Sequence, residues 1–192
     1  MKNTQKGFTL MEMIGVIAVI AILASMATPM IFEAIRNARI SAQAEGINAL
    51  RTAVAQYYSD TGEFPVHNPA STAAGARRLM ADHSSTPIAG WNGPYIEKEL
   101  ENHIGTSQIY LSNQTSASYQ FDLDGDGTVD TSDVSVLRLD GVSDAEAEKL
   151  SDILDGDAGG SGSAAWNAAG RVKRFGTNSD HASVLLVYIS RR

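Results

Sequence analysis

From Met13 to Phe32 the chain runs for 20 residues without a charged side chain, and no other feature limits its fold as much. Wound as an α-helix, this run would be about 30 Å long, the thickness of a bilayer's hydrocarbon core. The seven residues at the start, Met-Lys-Asn-Thr-Gln-Lys-Gly, are polar and basic. With Lys2 and Lys6 ahead of the run, the positive-inside rule places the N-terminus in the cytoplasm and the bulk of the chain across the membrane. A cleaved secretory signal, ending near Ala24-Ser25-Met26-Ala27, and a plain signal anchor both fit this pattern. Neither accounts for Glu12. An acid in an apolar membrane block is costly, so it marks a functional position.

Gly7-Phe8-Thr9-Leu10-Met11-Glu12 resembles the class III signal of type IV prepilins and of type II secretion pseudopilins. The resemblance implies that a prepilin peptidase cuts between Gly7 and Phe8 and that the new N-terminal Phe8 is methylated. It makes Glu12 the fifth residue of the processed chain, where the family carries a glutamate, and Pro29 the helix-kinking proline. Physical chemistry supports the role so implied. After cleavage Phe8 carries a free amine beside an apolar helix. In a bundle of parallel helices, Glu12 of one copy can pair with the Phe8 amine of another. An unpaired charge in a dry core is strongly disfavoured, so one axial register wins over slipped ones.

The helical pattern continues past Phe32. Ile47, Leu50, Val54, Tyr57 and Tyr58 recur at helical spacing as an amphipathic stripe, with the polar Glu33, Arg36, Arg39, Gln43 and Glu45 ahead of them and Arg51 among them. Gly62 and Pro65 stop the pattern. The spacing predicts one helix from about Met13 to Ser59, roughly 70 Å long and bent at Pro29. Its first half suits membrane or filament core, and its second half suits packing on a head. The stretch Leu50 to Tyr58 with Thr61-Gly62-Glu63-Phe64-Pro65, and Gly90-Trp91-Asn92-Gly93-Pro94-Tyr95-Ile96, resemble segments of major pseudopilins. Packing around a Gly-Pro turn is the physical reading of Trp91 and Tyr95.

Beyond Pro65 the elements shorten. A helix is expected over Thr72 to His83, and strands over Gln108 to Leu111, Ser118 to Phe121, Val172 to Phe175 and Ser183 to Ile189. A further helix is expected over Val142 to Leu154, opened by a Ser143/Glu146 capping box and a Val142/Ala147 staple. Asp157 to Ala165 is rich in Gly, Ser and Ala and reads as a surface loop.

One acidic stretch of the head has metal-ligand spacing. Asp122, Asp124, Asp126, Asp130 and Asp133 supply carboxylates at loop positions 1, 3, 5, 9 and 12, Thr128 a carbonyl at 7, and Gly127 the sharp turn. The pattern is that of an EF-hand calcium loop with Asp in the last place, and it resembles a single dockerin repeat. Val134 to Leu139 is expected to supply the helix that follows such a loop. Without a cation these carboxylates repel, so folding of the loop is expected to depend on calcium. Asp155 and Asp157 form either a second acidic site or a plain turn.

Composition removes whole classes of function. With no cysteine, disulfides, thiolate metal sites and Cys nucleophiles are excluded. A net charge of −7, with basic residues only in short clusters, argues against a nucleic-acid face. His67, His83, His103 and His181 are scattered, and no phosphate loop or nucleophile elbow is present. Asn113-Gln114-Thr115 matches the glycosylation sequon.

The expected protein is therefore an α+β filament subunit, not an enzyme, in which a long N-terminal helix packs on a small antiparallel sheet. Its expected parts are a leader (1–7), a transmembrane or filament-core helix (8–32), an amphipathic helix and turn (33–65), and a head (66–192) carrying the calcium loop (122–133). By resemblance, its partners are further copies in a helical filament, other pilins or pseudopilins, the prepilin peptidase, an inner-membrane assembly platform and membrane lipid. A bacterial inner-membrane site with the head in the periplasm, followed by a filament, is implied. The pseudopilin-like segments and the lack of cysteines favour a secretion pseudopilus. A type IV pilus subunit is the alternative within the family, and a signal-anchored, calcium-dependent adhesin the alternative outside it.

Overall fold

The computed structural model describes residues 7–65, 79, 88–98, 100–105, 109–114, 119–131, 133–156, 169–177 and 183–191. Two compact units divide the chain, residues 1–38 and 39–192.

The first helix, α1, runs Leu10–Thr61 without interruption, through Pro29. It starts earlier than the apolar run suggests because Thr9 and Glu12 close its first turn. Near its far end the Gly62 N–H bonds the Tyr58 carbonyl (2.8 Å) with Gly62 at φ 73°, a conformation that ends a helix cleanly. The two parts of α1 differ in kind. From Phe8 to Ile35 every large apolar side chain is at least 45% exposed, with no polar face among them. Such a helix needs an apolar medium or other helices around it. From Ile40 onward one stripe is buried, comprising Ile40, Ala44, Ile47, Leu50, Val54 and Tyr57.

That stripe belongs to the core of the 39–192 unit, an α+β fold. Its sheet has four antiparallel strands: β1 (Ile109–Gln114), β2 (Val134–Val142), β3 (Val172–Thr177) and β4 (Ser183–Arg191), in the order β1-β2-β4-β3. Leu137 sits opposite Leu111 and Val187, and Leu139 opposite Leu185. These side chains join the α1 stripe in the main core. The alternate positions Val134, Val136 and Leu186 pack with Phe121 in a second, smaller cluster. Each fully buried Leu or Val contributes roughly 1.5–3 kcal/mol.

The second described helix, α2 (Asp144–Asp155), covers β3 and buries Ala147, Leu150 and Leu154. Its capping box is present: the Glu146 carboxylate accepts the Ser143 backbone N–H (3.2 Å) and hydroxyl (2.6 Å).

The segment Val134 to Leu139, expected as a helix, is instead the first part of β2. Valine at 134 and 136 favours extended backbone, and the segment is paired on both sides, by β1 and by β4. The strand expected to end at Leu111 extends to Gln114. Phe121 forms only an isolated bridge with Thr131; residues 118 and 72–78, 80–83 of the other expected elements, and 157–165, lie outside the described residues. Gln43 and Arg51, assigned to the polar side of the helix, lie inward. Gln43 is fully buried and accepts the His103 backbone N–H at 2.8 Å, and Arg51 reaches the Tyr188 carbonyl at 3.1 Å. Tyr58 goes the other way: it stays 46% exposed with its ring stacked on Phe64.

Candidate functional site

The N-terminal site is built by the first turn of α1. Thr9 precedes the helix, and the Glu12 carboxylate accepts both its backbone N–H and its hydroxyl, each at 2.8 Å. In return the Glu12 N–H reaches Thr9 Oγ1 at 3.3 Å. This reciprocal pair satisfies donors that a helix start leaves unpaired. Thr9 is the residue sequence reasoning missed here, although Thr-x-x-Glu before an apolar run is the same signal that identified Ser143 and Glu146. Phe8 is 81% exposed. A Cβ at Gly7 would meet nothing within 4 Å, so packing does not require glycine there. Around Pro29, whose ring nitrogen cannot donate, hydroxyls serve neighbouring carbonyls: Ser25 bonds Ile22 and Thr28 bonds Ala24, both at 2.7 Å.

The acidic loop is closed at its base by the Phe121–Thr131 bridge, with Phe121 N–H to Thr131 carbonyl at 3.0 Å and Asp130 N–H to Phe121 carbonyl at 2.9 Å. Within it Asp122 accepts the N–H groups of Gly125 (2.8 Å) and Gly127 (2.9 Å). Gly125 and Gly127 have φ of 79° and 85°, a left-handed backbone that side-chain-bearing residues avoid. Carboxylate oxygens of Asp122, Asp124 and Asp130 lie within 4.8 Å of one another. Such a cluster of hard oxygen donors suits calcium better than a soft metal. Asp126 turns to Thr128, whose hydroxyl and backbone N–H hold its carboxyl below the usual carboxylate range. Asp133 is exposed and outside the cluster. The segment that follows it is a strand, not the helix expected after such a loop.

Asp155 belongs to no such cluster among the described residues. Its side chain is 2% exposed, it accepts the Arg171 N–H at 2.9 Å, and the Arg171 guanidinium stands 3.8 Å away. Burial nevertheless pushes its carboxyl above the usual range. Asp157 lies outside the described residues, as do His67, His83 and His181. In the sequon, Asn113 is occupied: it accepts the Ser135 hydroxyl (2.6 Å) and donates to the Pro65 carbonyl (3.3 Å). Trp91 and Tyr95 pack as structural residues. Tyr95 lies edge-on to Tyr57 (5.5 Å) and to Trp91 (6.0 Å), and its hydroxyl donates to Asp60 at 2.9 Å.

Comparison with known proteins agrees with the N-terminal site. Residues 2–28 match the family described as "Prokaryotic N-terminal methylation motif", and residues 34–128 match "PilW, C-terminal". The chain is 31% identical over 116 residues to the fimbrial protein EcpC of Eikenella corrodens, covering 60% of this chain and 67% of that protein. It is 35% identical over 114 residues to a fimbrial protein of Neisseria meningitidis, covering 59% of this chain and 60% of that one. With the type II secretion system core protein G of Pseudomonas aeruginosa it shares 27% identity over 135 residues, 69% of this chain and 92% of the relative. The chain spans about 60–67% of the length of the fimbrial relatives it matches first. No solved structure matches. These relatives are structural proteins rather than enzymes, and the methylation motif, the uninterrupted apolar helix and the helix-on-sheet head coincide in one chain, which belongs to the type IV pilin family.

Proposed function

We propose that the protein is a filament subunit of the type IV pilus kind, stored in the bacterial inner membrane and released from it by cleavage and assembly. The observation that carries this reading is the coincidence of the methylation motif at residues 2–28 with 31–38% identity to fimbrial and pilin proteins over 110–116 residues. In this reading Lys2 and Lys6 stay cytoplasmic, residues 8–32 span the bilayer and the head stands in the periplasm. The prepilin peptidase cuts between Gly7 and Phe8. The open space around Gly7 supports this, because a glycine that the fold does not require is one a processing enzyme can require. Once Phe8 carries an amine, Glu12 exchanges part of its bonding to Thr9 for the amine of a neighbouring copy, and an assembly platform adds copies one by one. Immunogold microscopy of cells with and without their prepilin peptidase tests the reading. Labelled surface filaments present only with the peptidase are expected; label that stays diffuse in the envelope in both strains defeats it.

A secretion pseudopilus is the second reading, favoured by one observation: the match to core protein G extends over 92% of that protein. Filaments seen only on overproduction, together with a secretion defect on deletion, would select it.

The loop around Asp122, Asp124 and Asp130 is proposed to hold a structural calcium ion. The ion would supply positive charge that the clustered carboxylates lack, and would stiffen the loop ahead of β2.

A further inference from the structure

A cleft of about 450 Å³ opens in the 39–192 unit, between α1 and the segment that follows Tyr95. Gly46, Ala49 and Leu50 form its helix wall, and Ile96 and Leu100 face them. Gly46 has a packing reason to be glycine in mid-helix, since a Cβ there would run into Leu100 Cδ1. The walls are apolar and the rim is acidic. Among the described residues, Glu97 and Glu101 stand on it beside Lys98, which is paired with Glu101. Glu45, one turn before Ala49 on the same helix face, adds a further exposed carboxylate.

The chain itself carries a surface of the opposite character. Phe32, Ile35, Arg36 and Arg39 recur at i, i+3, i+4 and i+7 of α1 and so lie on one helix face. All four are exposed, Phe32 by 68% and Ile35 by 45%. Two apolar side chains beside two guanidinium groups complement an apolar cleft with a carboxylate rim. Arg is also the better cation here, because its planar head can bind a carboxylate with two hydrogen bonds.

We propose that the cleft between Gly46–Leu50 and Ile96–Glu101 receives the Phe32–Arg39 face of α1 from a second copy of this chain, with Arg36 or Arg39 on Glu97. This rests on the filament reading and specifies a contact within it.

The chain has no cysteine, which permits a direct test in full-length protein. Arg36→Cys combined with Ala49→Cys, oxidised in intact filaments, should give a ladder of covalent multimers on non-reducing gels, and either change alone should not. In parallel, Glu97→Arg and Arg36→Glu should each lower the sedimentable filament fraction at least about threefold relative to processed subunit, with the pair together restoring most of it. Normal filaments that give no ladder, with both reversals at full yield, overturn the cleft assignment and leave the filament reading standing. Reversals that stop assembly and show no recovery in combination, again with no ladder, also overturn it. Processed wild-type protein that never sediments as filament removes the filament reading itself, and this contact with it.

Discussion

The proposed filament gives Glu12 a second partner, the Phe8 amine of another copy, besides the one it has in the single chain. In the single chain its carboxylate caps α1 through Thr9, which satisfies the acid while no amine is present. This predicts that Glu12→Ala leaves insertion and cleavage intact, as N-terminal mass would report, yet cuts filament yield at least about tenfold; normal filaments from that variant would contradict charge-set register. Replacing Gly7 with a branched residue should instead stop processing and leave the fold unchanged, since no neighbour crowds that site. Asp155 gives a pH test of a different kind. Burial raises its carboxyl, while the Arg171 amide and guanidinium, the Ser151 hydroxyl and Arg51 pull the other way. An acid whose folded pKa lies above its unfolded one contributes stability below about pH 3.9 and loses it as pH rises through the folded value. The melting temperature of the wild type should therefore fall relative to that of Asp155→Asn as pH rises above about 3.9, and a difference that stays flat would contradict the burial argument.

The acidic loop and β2 are one unit of behaviour, because the Phe121–Thr131 bridge closes the loop immediately before the strand that pairs with both β1 and β4. Chelation of divalent cations should lower the melting temperature of the detergent-solubilised full chain by several degrees, and Asp122→Asn together with Asp124→Asn should abolish that response. An unchanged melting curve would remove calcium from the account. At α2, Ser143→Ala should cost about 1 kcal/mol in denaturant unfolding through loss of the cap. These elements were not equally legible in the sequence. The stripe Ile47 to Tyr57, the capping box and strands β3 and β4 could be read because period and end signals coincide there. Val134 to Leu139 was misread because ligand spacing implied a following helix, whereas valine at 134 and 136 and two flanking strands decide the conformation. Gln43 and Arg51 were placed outside by residue type. Their inward positions depend on the His103 amide and the Tyr188 carbonyl, brought close only by tertiary packing. Thr9 was legible and overlooked.

Taken whole, the chain combines a segment that only an apolar medium or its own copies can cover with a head that holds its own core. In the proposed reading, its exposed apolar residues from Phe8 to Ile35 lie in a bilayer before assembly and in a helix bundle after it, so transfer between the two exchanges one apolar surrounding for another. The switch proposed between those states is the appearance of a positive charge at Phe8. The mass of the N-terminal peptide from protein isolated out of envelopes or filaments tests this most directly. A peptide beginning at Phe8 and carrying one added methyl group is the predicted result; a chain that still begins at Met1, or one trimmed near Ala27, would contradict it.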